Sequence, residues 1–200
     1  MTPEFLFDFA SPNAYLAHRV LPEIVARTGA RFSYTPVLLG GLFKLTGNQA
    51  PMLAFANIPN KLAYEMLELR RFVARHKLDA FKMNPHFPVN TLLLMRGAVA
   101  AEMDGMLGPY VEAGFHFMWE EPKKMDDPAV WAEAIASAGL DAERLLARTK
   151  DDDVKAKLAA NTDAAAKRGA FGIPSFFVGD EIYFGKNTLR DVEDAISAAR

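Results

Sequence analysis

Two hundred residues make room for one large domain, or for a domain carrying an insertion. Half of them are apolar and 24% are charged, which excludes a disordered chain, and 23 Lys and Arg against 25 Asp and Glu leave a net charge of -2, which excludes a broad basic field for nucleic acid. There is no cysteine, so structural disulfides, thiolate–zinc sites, iron–sulfur clusters, a C-x-x-C redox pair and a cysteine nucleophile are all excluded.

The start, Met1-Thr2-Pro3-Glu4, has no basic region followed by a long apolar run, so no secretory signal is expected. Glu4 to Ala10 then alternates. Phe5, Phe7 and Phe9 fall on one side with Leu6 and Asp8 on the other, the period of a strand. Asp8 reads either as an acid–base group or as a structural hydrogen-bonding residue. Ser11-Pro12 stops the strand and opens a helix, because Ser caps free N–H groups and Pro fits the first turn. Ala14, Leu16, Ala17, Val20, Leu21 and Ile24 follow at helical spacing, with Pro22 expected to bend or shorten the helix and Gly29 to close it. Arg31 to Thr35 alternates again, so residues 4–36 read as β-α-β with parallel strands.

A long helical stretch comes next. Residues 61–77 carry Leu62, Met66, Leu69 and Val73 as an apolar stripe, with Arg70, Arg71 and Arg75 on a solvated face. Further helices are predicted at about 90–103, 108–119, 127–138, 141–149 and 151–168, punctuated by Pro and Gly. The most apolar stretch, Asn90 to Ala101, is interrupted by Arg96 and Gly97 and falls short of the ~20 residues of a membrane span. Ser175 to Val178 and Glu181 to Phe184 form a hairpin about Gly179-Asp180, and Thr188 is placed to cap a last helix, Leu189 to Ala199.

The order β-α-β, helices, β-β-α describes an α/β thioredoxin-like fold split by a large all-helical insertion. Residues 1–36 and 169–200 form the thioredoxin-like domain, and 37–168 the insertion, whose last helix leads back to the core. In such a core the chemistry sits where the first strand meets the first helix, here Phe7 to Tyr15. A redox member would carry a cysteine at the helix start; this chain carries Ser11. Ser11 reads first as a helix cap, and without conflict it can also donate to a thiolate brought by a ligand, since a helix N-terminus favours a bound anion. Pro174 belongs at a strand start. If the Ile173–Pro174 bond is cis, the Ile173 backbone turns toward the Ser11 helix and can pair with an extended peptide.

The runs F-D-F-A-S-P-N-A-Y-L (7–16), P-V-L-L-G-G-L-F-K-L-T-G-N (36–48), F-P-V-N-T (87–91) and R-G-A-F-G-I-P-S (168–175) together resemble the 2-hydroxychromene-2-carboxylate isomerases, relatives of kappa-class glutathione transferases. The matches are collinear and span nearly the whole chain. The resemblance implies glutathione as cofactor, with Ser11 facing its sulfur, Ile173 and Pro174 beside its cysteinyl unit, Asn48 and Lys61 on the tripeptide, and Lys186 and Asn187 at its γ-glutamyl end. The family commonly has an acid where Asn187 stands; Asn keeps a hydrogen bond to the ammonium without the charge, and a partner subunit is one source of an acid. The implied substrate is a small aromatic carboxylate: 2-hydroxychromene-2-carboxylate interconverts with trans-o-hydroxybenzylidenepyruvate in aromatic catabolism, through reversible thiolate addition.

Asn13, Phe43, Lys44, Phe87 and Asn90 are the candidates around that substrate; Phe43 and Phe87 read equally as core, and Asn90 as a helix cap. A kappa-like transferase and a non-catalytic thioredoxin-like binding module are the alternatives. His18, His76, His86 and His116 show no i, i+4 pair, and no metal is expected. A cytoplasmic homodimer without nucleic-acid or membrane partners completes the expectation.

Overall fold

Strand β1 (Glu4–Phe7) is buried from Phe5 to Phe7 because both of its faces are apolar, and the sheet is built around it. The coordinates, a computed structural model, describe residues 2–199. Past Phe7 the chain turns. The Asp8 carbonyl accepts the Ser11 N–H at 3.1 Å and its Oδ1 accepts the Ala10 N–H at 2.9 Å. The strand therefore ends three residues before the alternation does, at Phe7 instead of Ala10.

Helix α1 (Pro12–Thr28) has Ser11 as its cap, with Oγ accepting the Ala14 N–H, and closes at Gly29, where φ is +65°. Pro22 lies inside it without shortening it. Proline removes one hydrogen bond there, and the buried side chains of Val20, Leu21 and Ile24 hold the helix on both sides of that gap. Strand β2 (Ser33–Pro36) pairs parallel to β1, from Glu4 opposite Ser33 to Phe7 opposite Pro36.

The helices between the two halves of the sheet are α2 (Leu39–Thr46), α3 (Pro51–Ala54), α4 (Pro59–His76), α5 (Leu92–Met103), α6 (Leu107–Trp119), α7 (Pro128–Ser137), α8 (Ala142–Arg148) and α9 (Asp152–Lys167). From α4 onward these match the predicted helices to within about two residues. The apolar stripe of α4 is corrected: Leu69 and Phe72 are buried, whereas Met66 is 41% exposed, so only the C-terminal half of the helix faces the core.

Strand β3 (Ser175–Val178) runs antiparallel to β1, and β4 (Glu181–Phe184) returns beside it, giving the sheet order β2-β1-β3-β4. A short 3-10 turn, Lys186–Thr188, leads to α10 (Leu189–Ala198). Thr188 does not cap that helix; its hydroxyl donates to the Gly185 carbonyl at 2.9 Å. A mixed four-stranded sheet in thioredoxin order, interrupted by helices, is the fold that the element order predicted.

The core is aromatic. Phe5 stacks on Phe176 of the neighbouring strand at 5.2 Å, and Phe9 meets Phe115 of α6 edge-on at 4.9 Å. Gly114 allows this approach: a Cβ there would stand 2.5 Å from the Phe9 ring. No helix among the described residues is long and apolar enough to cross a membrane.

Candidate active site

Ser11 lies at the point where β1, α1 and the loop before β3 converge. Its hydroxyl accepts the Ala14 N–H at 3.1 Å and donates to the Ile173 carbonyl at 3.0 Å, joining residues 162 positions apart. The Ile173–Pro174 bond is cis, as expected. The loop is held from behind: Ser175 Oγ donates to the Gly172 carbonyl at 2.8 Å, and the Gly185 N–H donates to the Pro174 carbonyl at 2.9 Å. A 17-residue helix thus directs its N-terminus and a serine hydroxyl at one fixed backbone carbonyl. That arrangement stabilises negative charge, and it offers no nucleophile stronger than an alcohol.

Asn48 joins this group. Its Nδ2 donates to the Phe171 carbonyl at 2.8 Å, tying the segment after α2 to the same loop. Asn13 sits in the first turn of α1 with its Oδ1 buried and without a partner. Phe43 and Lys44 lie on α2, the former half-buried and the latter exposed.

The remaining predicted residues have other neighbours. Lys61, half-buried in the first turn of α4, pairs with Glu65 at 2.7 Å and stands 5.1 Å from the centre of the Phe55 ring. Phe87 packs toward Trp119, ring centres 6.0 Å apart. Asn90 Oδ1 accepts the Leu92 N–H at 3.0 Å, from the residue before Thr91, which holds the cap position of α5. Lys186 is 3% exposed, with its ammonium on Glu68 of α4 and 5.2 Å from the centre of the Phe72 ring. Asn187 beside it is exposed.

Two further residues matter here, one that the sequence did not raise and one that it left between an acid–base and a structural reading. Glu68 is one; a buried lysine requires an acid, which signals that a partner exists without saying which. Asp8 is the other. It is fully buried, and its carboxylate accepts from Ala10 N–H at 2.9 Å, Thr91 Oγ1 at 2.6 Å and Leu39 N–H at 2.7 Å. Burial pushes its carboxyl above the usual range, against the opposing effect of these three donors.

A separate cleft of about 510 Å³ lies between α1 and α6. Its charged groups satisfy one another. His18 bridges Tyr34 at 2.9 Å and Glu112 at 3.0 Å, and Glu120 takes hydrogen bonds from Tyr15 at 2.8 Å and His116 at 3.0 Å. None of the predicted site residues lines it. Among the described residues no group of three or more His, Cys, Asp or Glu could hold a metal ion.

The chain is similar to a curated 2-hydroxychromene-2-carboxylate isomerase of Sphingobium xenophagum, 28% identical over 203 residues, which cover 96% of each chain. It is also similar to glutathione S-transferase kappa 1 of Rattus norvegicus, 28% identical over 86% of this chain and 78% of that one. A solved 2-hydroxychromene-2-carboxylate isomerase superposes with a TM-score of 0.83 at 25% identity, covering 100% of this chain and 96% of the other. A probable DsbA oxidoreductase from Streptomyces coelicolor superposes with a TM-score of 0.74 at 20% identity, a likeness of fold. The model of the DSBA-like thioredoxin domain matches residues 4–197, and the chain belongs to that family.

Proposed function

We propose that this protein is a glutathione-dependent cis-trans isomerase that interconverts 2-hydroxychromene-2-carboxylate and trans-o-hydroxybenzylidenepyruvate. The observation that carries the reading is Ser11. A hydroxyl stands at a helix N-terminus opposite the Ile173 carbonyl, where a redox relative would hold a thiol, in a chain with no cysteine at all. The relatives named as isomerases support the reaction, and the kappa transferases support the cofactor.

The residues present fit a thiol-bearing tripeptide. Asn13, two residues after Ser11, has a buried Oδ1 without a partner that can accept from a ligand, and the Ile173 carbonyl and the Asn48 side-chain amide sit on the loop before β3 that Ser11 contacts. When bound, glutathione supplies a thiolate whose reversible addition to a conjugated double bond leaves a single bond free to rotate. Ser11 lowers the pKa of the thiol by turning its O–H from the Ile173 carbonyl to the sulfur, helped by the helix N-terminus. Ile173 and Asn48 fix the peptide backbone, and Lys61 takes a carboxylate. Asn13, Phe43 and Lys44 hold the aromatic acid against the sulfur, the lysine by its charge. Lys186 and Asn187 shape the γ-glutamyl end, Lys186 from its ion pair with Glu68.

The test is incubation with glutathione and the chromene carboxylate. Interconversion without net loss of glutathione supports the isomerase, and stoichiometric conjugate identifies a transferase, the second reading that the kappa relatives favour. Calorimetry with no heat of binding at millimolar glutathione would leave only a non-catalytic binding module.

The assembly is read as a homodimer, supported by the exposed Leu45, Met52, Leu53, Ile58, Tyr64 and Met66 on the α2–α4 segment. Sedimentation at monomer mass refutes that. A cytoplasmic location goes with this reading, and cell fractionation tests it.

A further inference from the structure

We propose that Asp8 is a positioning residue that holds α2, and with it Phe43, Lys44 and Asn48, in register with Ser11. The inference deepens the reading above and rests on it. Helix α2 is weak by itself. It has eight residues, too few for stability alone, and two of them are Gly40 and Gly41. The residue before it, Leu38, supplies no side-chain cap. Its N-terminal N–H groups are satisfied from elsewhere in the chain: Thr162 Oγ1 accepts from Leu38 at 3.0 Å, and Asp8 Oδ2 accepts from Leu39 at 2.7 Å. Asp8 thus caps α2 from the end of β1, and its negative charge suits the positive end of that helix.

The other oxygen of the same carboxylate faces the Ser11 turn. Oδ1 accepts from Ala10 at 2.9 Å and from Thr91 Oγ1 at 2.6 Å, and the Asp8 carbonyl accepts the Ser11 N–H. One planar group therefore sets α2 against the residue before Ser11 and against the start of α5. Thr91 occupies the cap position of α5, yet its hydroxyl is given to Asp8 instead of to that helix. Enclosure by these donors, with no exposed surface, keeps Asp8 from touching a substrate, which removes the acid–base alternative. Both oxygens accept, so asparagine is no substitute: its NH₂ must face an N–H or O–H donor on one side.

Asp8→Asn tests this in the full-length protein. The expected result is a KM for the aromatic acid raised about tenfold, since α2 carries substrate contacts, and weaker glutathione binding through the displaced Asn48, with the pH at which the bound thiol ionises unchanged. Amide hydrogen exchange at Leu39 should be faster by about tenfold, a readout that needs no turnover. Adding Gly40→Ala, where a Cβ meets nothing within 4 Å, strengthens α2 and should recover part of the KM. If Asp8→Asn does not fold, Thr91→Val loosens the same carboxylate and should raise KM about threefold. An unchanged KM in an active wild-type background overturns the proposal alone. A shifted thiol ionisation at constant KM also overturns it, because Asp8 would then act through charge. A wild-type protein without glutathione-dependent isomerisation defeats the functional reading and the catalytic half of the proposal; unaltered exchange at Leu39 defeats the structural half.

Discussion

Ser11→Ala separates the two parts Ser11 plays. The substitution removes the acceptor for the Ala14 N–H and the donor to the Ile173 carbonyl, both buried hydrogen bonds of about the same length. Loss of the cap costs about 1 kcal/mol, and an unsatisfied Ile173 carbonyl costs about 1 kcal/mol more, so stability falls by about 2 kcal/mol. For a chain of this size that lowers the melting temperature by about 4–8 °C, which leaves the protein folded at assay temperature. Turnover should fall much further. A preorganised donor to a developing anion is worth about 10²-fold in rate, and the pH–rate profile should move to higher pH as the bound thiol ionises less readily. The assay is isomerisation against pH at saturating glutathione, with thermal unfolding alongside. A variant that melts lower but turns over like wild type, with an unmoved profile, would refute the role assigned to the hydroxyl and leave Ser11 a helix cap.

Other substitutions test the surrounding framework. Glu68→Ala strands the buried Lys186 ammonium and should destabilise by about 3 kcal/mol or more, whereas Lys186→Met leaves a carboxylate that reaches water and should cost less; urea unfolding of both variants measures the difference. Gly114→Ala drives a methyl into the Phe9 ring and should cost about 1–3 kcal/mol, read by the same titration. The His18 hydrogen bond holds the Glu112 carboxyl below its ordinary 4.5. For an acid whose folded pKa is depressed, the stabilisation is present above the ordinary value and is lost as pH falls through the folded value. Glu112→Gln should therefore flatten the fall in stability below pH 4.5, seen in melts across acid pH.

Local chemistry explains which elements were legible. Alternating phenylalanines announce β1, Ser11-Pro12 announces the start of α1, and helical periodicity with Pro and Gly punctuation places α4 to α9. These signals are written within one or two turns of chain. Helix α2 carries no such signal, with two glycines and an apolar residue in the cap position, because its cap is Asp8, 31 residues away. The early end of β1 has the same origin: Phe9 continues the alternation, but Asp8 draws the backbone into a turn.

The site follows the same division. Ser11 can be picked out from its place at a strand–helix junction, but its partner Ile173 lies 162 residues on, and the link rests on the element order with a cis Pro174 and on the resemblance of whole motifs. Lys186 stands out by its charge and yet gives no hint of Glu68, 118 residues away. What the sequence states outright is the absence of cysteine. In the proposed function, a helix N-terminus and a hydroxyl held against a backbone carbonyl stabilise an anion that a chain without cysteine does not itself supply as a thiolate. The charge must then enter with a ligand. The Ser11 oxygen is held by the Ala14 N–H before any ligand arrives, so the rotation of one O–H from the Ile173 carbonyl to the sulfur is the reorganisation that remains when the thiol ionises.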